Sequence, residues 1–163
     1  MLASEPSSAP ALWAWPIRPS PAVVRPFSPP ASPWVPGHRG VDLDAAPGQA
    51  VYAAARGRVS FAGRIAGYGV VAITHGALRT TYLPVEPAVH VGQAVTSATG
   101  IGTVQPFLGH CGHRHCLHWG VLRGTQYVDP LALLSLRLRL LPFWPGSDDG
   151  LISLWAGGRR PVA

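Results

Sequence analysis

From Gly37 to about Leu134 the chain consists of short apolar runs broken by glycine-containing turns. The runs are Gln49–Ala55, Gly57–Ala62, Gly69–Thr74, Leu78–Leu83, Ala94–Thr96, Gly100–Val104 and Leu117–Leu122. Segments of this length, recurring about every 8–12 residues, predict short strands joined by turns. Helical periodicity never lasts beyond a turn or two, which points away from long helices. The pattern therefore predicts a mainly β fold, a compact antiparallel sheet or sandwich with little helix. One short helix is expected at Leu131–Leu134, introduced by Asp129-Pro130 and closing the domain.

The flanks read differently. Residues 1–36 are rich in Pro, Ser and Ala and hold too little apolar surface to fold alone. They are expected to form a leader running over the domain surface. Within it, Trp13, Trp15 and Ile17 suit either an ordered lead-in or the remnant of a signal peptide. Residues 135–163 form a C-terminal tail, in which Leu136, Leu138 and Leu140 alternate with Arg137 and Arg139 until Pro142 and Pro145 end the run. That alternation suits an edge strand or a surface segment. No apolar run approaches the roughly 18 residues of a membrane-spanning helix, and no complete signal-peptide pattern opens the chain.

Charge narrows the partners. The formal net charge is +6, and all 13 basic residues are Arg. A basic chain favours polyanionic surroundings. The arginines are scattered from Arg18 to Arg160 without a nucleic-acid-binding motif, so nucleic acid is not the expected partner. An anionic cell wall or membrane surface remains.

Seven histidines against seven acids turn attention to metal chemistry. In Pro36-Gly37-His38-Arg39-Gly40-Val41-Asp42-Leu43 the glycines argue against a helix and for a loop entering a strand, where His38 and Asp42 can hold one ion. Imidazole nitrogen and carboxylate oxygen are both good zinc donors, although the spacing alone more often marks a hydrogen-bonded turn. In His115-Cys116-Leu117-His118-Trp119-Gly120-Val121, strand alternation puts Leu117, Trp119 and Val121 toward a core and Cys116, His118 and Gly120 on the other face. His75 and His90 read as structural or solvent-facing.

Taken together, these segments resemble the lysostaphin/LytM-type zinc metallopeptidases. "GHRGVDL" is similar to that family's first metal motif, and "PGQAVYAAARGRVSFAGRIAGYGVVAITHG" to the strands that follow it. "VGQAVTSATGIGTV" is similar to the lead into the last strand, and "CLHWGVLRG…YVDPLALL" to the closing strand and Asp-Pro ending. The resemblance covers Gly37 to Leu134. It implies Zn²⁺ held by His38, Asp42 and His118, with a fourth position left for water. It further implies an extracellular or wall-associated domain that hydrolyses peptidoglycan peptide bonds.

Two positions depart from the family pattern. Cys116 stands where the first His of an H-x-H strand is expected, and Pro84 stands where a His should follow Tyr82 by two residues. The resemblance assigns these positions to orienting water or stabilising the oxyanion. Losing one positioned proton-transfer group commonly costs about 10²–10⁴ in rate. His110, His113 or His115 is a substitute from the same loop, though strand alternation points His115 away from His118. Cys116 has two readings: a fourth zinc ligand, or half of a Cys111–Cys116 disulfide pinning the loop. Two functions follow, a zinc metalloendopeptidase and a degenerate domain that binds the wall or regulates a partner hydrolase.

Overall fold

A computed structural model describes residues 13–32, 34–108 and 111–135. The proposed tail strand at 136–140 lies outside the described residues. Among the described residues the fold is antiparallel β throughout, with one short helix.

The main sheet has eight strands. In chain order they are β1 (Val23–Arg25), β2 (Gly40–Asp44), β4 (Gly57–Ile65), β5 (Tyr68–His75), β6 (Leu78–Leu83), β8 (Ala94–Val95), β10 (Cys116–Arg123) and β11 (Gln126–Val128). Across the sheet the order is β1-β2-β10-β6-β5-β4-β8, and β11 pairs with β10. A smaller sheet is formed by β3 (Ala50–Tyr52), β9 (Gly100–Val104) and β7 (Val85–Pro87), in the order β3-β9-β7. The helix α1 (Pro130–Leu134) starts at Asp129, whose carboxylate accepts the Leu131 amide. That bond satisfies one of the amides left open at a helix start.

The alternation legible in the sequence becomes burial. On β10, Leu117, Trp119 and Val121 enter the core with Val41 and Leu43 of β2, Val71 and Ile73 of β5, and Tyr82 of β6. The Tyr82 hydroxyl accepts the Ala54 amide at 2.9 Å, which ties the main sheet to the segment after β3. Burial pushes its pKa up to about 12, so Tyr82 is a neutral core anchor.

The Pro-rich stretch before the first motif takes part in the packing. Ile17 is 1% exposed within the core, with Trp13 and Trp15 packed against it. Residues Val23–Arg25 pair with β2 at the sheet edge.

Candidate metal centre

On the antiparallel β2–β10 ladder, His118 lies opposite Asp42, Cys116 opposite Asp44 and Gly120 opposite Gly40. Because Leu117, Trp119 and Val121 point to the core, Asp42 and His118 share the other face. His38 precedes β2 and is drawn in by a bridge to Ser28. His38 and Asp42 are buried and His118 is half-buried.

Three side-chain atoms converge there. His38 Nε2 is 3.0 Å from Asp42 Oδ1, His118 Nδ1 is 2.8 Å from the same oxygen, and the two nitrogens are 3.2 Å apart. Donors bound tetrahedrally to zinc at about 2.0–2.1 Å stand roughly 3.3 Å from one another. The observed separations fit one small ion.

Hydrogen bookkeeping agrees. His38 Nδ1 lies 2.7 Å from the Pro26 carbonyl, which can only accept. Nδ1 therefore carries a hydrogen committed to that carbonyl, and Nε2 is the ring atom turned toward Asp42. Asp42 Oδ1 presents lone pairs. An imidazole nitrogen from each histidine and a carboxylate oxygen form a donor set of the kind zinc takes.

A glycine makes the approach possible. A Cβ at Gly40 would stand 2.7 Å from His118 Nε2 and 2.5 Å from the Trp119 carbonyl oxygen. Any larger residue there would collide with the ladder and displace the ring.

The cluster opens to a groove of about 580 Å³. Besides His38 and His118, its walls include Thr81 and Leu83 of β6, Tyr68 of β5, Tyr127 of β11, and Arg25 and Arg39. The Arg39 guanidinium stands 5.7 Å from the centre of the Tyr127 ring. These wall residues come from segments far apart in the chain, and no local pattern marks them.

The remaining sequence candidates lie elsewhere. Cys116 is bonded to Cys111, so the free-thiolate reading does not describe this structure. Pro84 is buried where β6 meets β7, its carbonyl accepting the Gln105 amide at 3.1 Å, and it does not line the groove. His115 is half-buried, its Nδ1 has no hydrogen-bond partner among the described residues, and it is not among the donors that converge there. His113 is exposed, and His110 lies outside the described residues. His90 is exposed as well. His75 is structural, with Nδ1 2.8 Å from the Arg56 carbonyl, Nε2 2.8 Å from Thr80 Oγ1, and Trp13 edge-on to its ring. Burial lowers its pKa, against an opposing pull from the Arg56 carbonyl.

Comparison with known proteins gives one consistent answer. An uncharacterized protein of Mycobacterium tuberculosis is 51% identical over 134 residues, which cover 78% of this chain and 54% of that protein. The chain thus spans about half the length of the curated relatives it matches. Helicobacter pylori Csd3 is 29% identical with a TM-score of 0.63, covering 76% of this chain and 34% of that one. A zinc containing peptidase from Vibrio cholerae is 25% identical with a TM-score of 0.60, covering 74% and 39%. At 20% identity and a TM-score of 0.65, a chain of the SpoIIQ-SpoIIIAH pore forming complex shares the fold over 77% of this chain and 92% of its own. Residues 36–130 match Peptidase family M23, and the chain belongs to that family.

Proposed function

We propose that this M23 domain binds one zinc ion through His38 Nε2, Asp42 Oδ1 and His118 Nδ1 and holds peptidoglycan peptides in the groove above it. The observation that carries this reading is the convergence of three donor atoms within 3.2 Å of one another, with the Pro26 carbonyl orienting the His38 ring. The Vibrio cholerae zinc containing peptidase supports the choice of metal. A cell-wall substrate places the domain outside the cytoplasm, and a net charge of +6 suits an anionic wall.

Zinc bound there supplies Lewis acidity toward a peptide carbonyl and toward water. The chain's own part is to fix that centre and the peptide. The Pro26 carbonyl holds the His38 ring, the β2–β10 ladder sets Asp42 opposite His118, and Arg25 on the groove wall offers charge to a substrate carboxylate or carbonyl. Proton handling is the weak element, because a buried proline and a disulfide sulfur occupy the two positions where the family resemblance expects histidine. We therefore propose slow zinc-dependent endopeptidase activity.

A second reading is a domain that binds the wall or a partner hydrolase without turnover. The same two substitutions favour it, as does the shared fold with a chain that assembles with SpoIIIAH. Incubating zinc-loaded protein with purified sacculi separates the two. New amino termini, seen by mass spectrometry and lost in Asp42→Ala, establish the peptidase. Retention on sacculi with no released peptide establishes the binding domain.

A further inference from the structure

The Asp42 carboxylate belongs to two groups of donor atoms. One is shared with His38 and His118; in the other, an Asp42 oxygen and the sulfurs of Cys111 and Cys116 lie within 4.8 Å of one another. The register explains the second group. Cys116 sits on β10 opposite Asp44, two residues from His118 and on the same face. The disulfide therefore stands beside the metal donors rather than at a remote edge.

We propose that Cys116 is a fourth metal donor held out of service by its bond to Cys111, so that thiol–disulfide exchange converts an open three-donor site into a closed four-donor one. This rests on the metal reading above. Zinc donors at about 2.0 Å for oxygen and 2.3 Å for sulfur stand roughly 3.5 Å apart. Within 4.8 Å of an Asp42 oxygen but outside the His38–Asp42–His118 group, the Cys116 sulfur, once released, joins by rotating toward the histidine nitrogens. Charge favours the move: Asp42 leaves a divalent ion with one uncompensated positive charge, and a thiolate neutralises it. Asp42 is 0% and Cys116 4% exposed, so the neutral centre is cheaper to bury.

Access to the two sulfurs is unequal in the matching sense. Cys116 is buried, whereas Cys111 is half-buried and lines a surface pocket with Ala22, Val23, Val24, Arg25 and Arg114. An external dithiol entering there as its thiolate attacks the Cys111 sulfur, with two arginines favouring the anion. A mixed disulfide forms at Cys111, and the Cys111–Cys116 bond breaks. Cys116 leaves as a thiolate toward the ion. The dithiol's second sulfur then attacks its first, forming the dithiol's own disulfide and releasing Cys111. Two electrons pass from the dithiol to the protein. Of the dithiol's two protons, one ends on Cys111 and one goes to solvent.

The test is cobalt(II) substitution of the full chain, read by absorption before and after dithiothreitol. A sulfur-to-cobalt charge-transfer band is expected only after reduction in the wild type and without reductant in Cys111→Ser; Cys116→Ser lacks it in either state. Thiol titration supplies an independent readout: the reduced, zinc-loaded protein exposes one reactive thiol, and a chelator exposes the second. Zinc affinity by chelator competition should rise at least tenfold on reduction. Cobalt bound in both redox states without the band, or two reactive thiols in the zinc-loaded reduced protein, overturns the fourth donor. A band that survives in Cys116→Ser overturns the assignment to that residue. Absence of cobalt binding in either state defeats the metal reading itself.

Discussion

Asp42 and His118 are 76 positions apart in the chain, yet His118 Nδ1 stands 2.8 Å from Asp42 Oδ1 across the β2–β10 ladder. Their pairing makes Asp42 the hub of the donor cluster, because the same oxygen meets His38. Replacing His118 with Ala should lower zinc stoichiometry from one to near zero after dialysis, while the circular dichroism of the sheet persists. Altering only an outer-shell partner commonly costs about 10–100-fold in metal affinity, and a direct ligand should cost more. Unchanged zinc content in His118→Ala would remove it from the ligand set.

Gly40 gives a test of packing at the same place. Gly40→Ala puts a methyl against the Trp119 carbonyl and the His118 ring. Overpacking of this kind typically costs about 1–3 kcal/mol. Both the urea midpoint and zinc affinity should fall. A variant as stable as wild type with full zinc content would show that the ladder has room to spare.

Low turnover is expected to be repairable. Cys116→His, combined with Cys111→Ala so that no thiol is left unpaired, returns an imidazole beside the donors. A positioned proton-transfer group is commonly worth about 10²–10⁴ in rate, so peptide release from sacculi should rise by one or more orders of magnitude. A variant that binds zinc and sacculi yet releases nothing more than wild type would show that Cys116 is not what limits turnover.

His75 links stability to pH. Its ordinary pKa of 6.5 is lowered in the fold, chiefly by burial. Between its folded and unfolded values the unfolded chain binds the extra proton, so folding is favoured less as pH falls. The His75 contribution is fully present above 6.5 and is lost as pH drops through the lower folded value. Comparing urea midpoints near neutrality and at about pH 5, His75→Gln should show a shallower loss than wild type. The metal-site histidines remain in both proteins and cancel in that difference; parallel curves would contradict the assignment.

Ile17 tests whether the Pro-rich stretch belongs to the fold. Truncating a fully buried Ile usually costs about 2–5 kcal/mol. Ile17→Ala should lower the melting temperature by several degrees, whereas a surface leader would tolerate the change.

Much of the sheet was legible in advance. Leu78–Leu83 and Gly100–Val104 coincide with β6 and β9, and Leu117–Leu122 falls within β10. The closing helix begins at Pro130, one residue earlier than expected, because Asp129 caps it. Three-residue strands such as β1, β7 and β11 carry too little alternation to stand out, and they form because a neighbouring strand offers its edge. The candidate donors were visible only through family resemblance, since the H-x-x-x-D spacing alone better describes a turn. What no spacing reveals is cross-strand register. Asp42 meets His118, and the cysteine pair comes beside Asp42, only once β2 and β10 are aligned.

The bond from His38 to the Pro26 carbonyl has a consequence for where the domain begins. The signature that marks the family in this chain opens at Gly37, but the carbonyl that orients the first candidate donor is eleven residues upstream, in a stretch of low sequence complexity. A fragment trimmed to the signature would retain every donor and lose the anchor that aims the first of them. It would be expected to capture metal loosely and in more than one pose. The smallest functional piece is therefore longer than the smallest recognisable one.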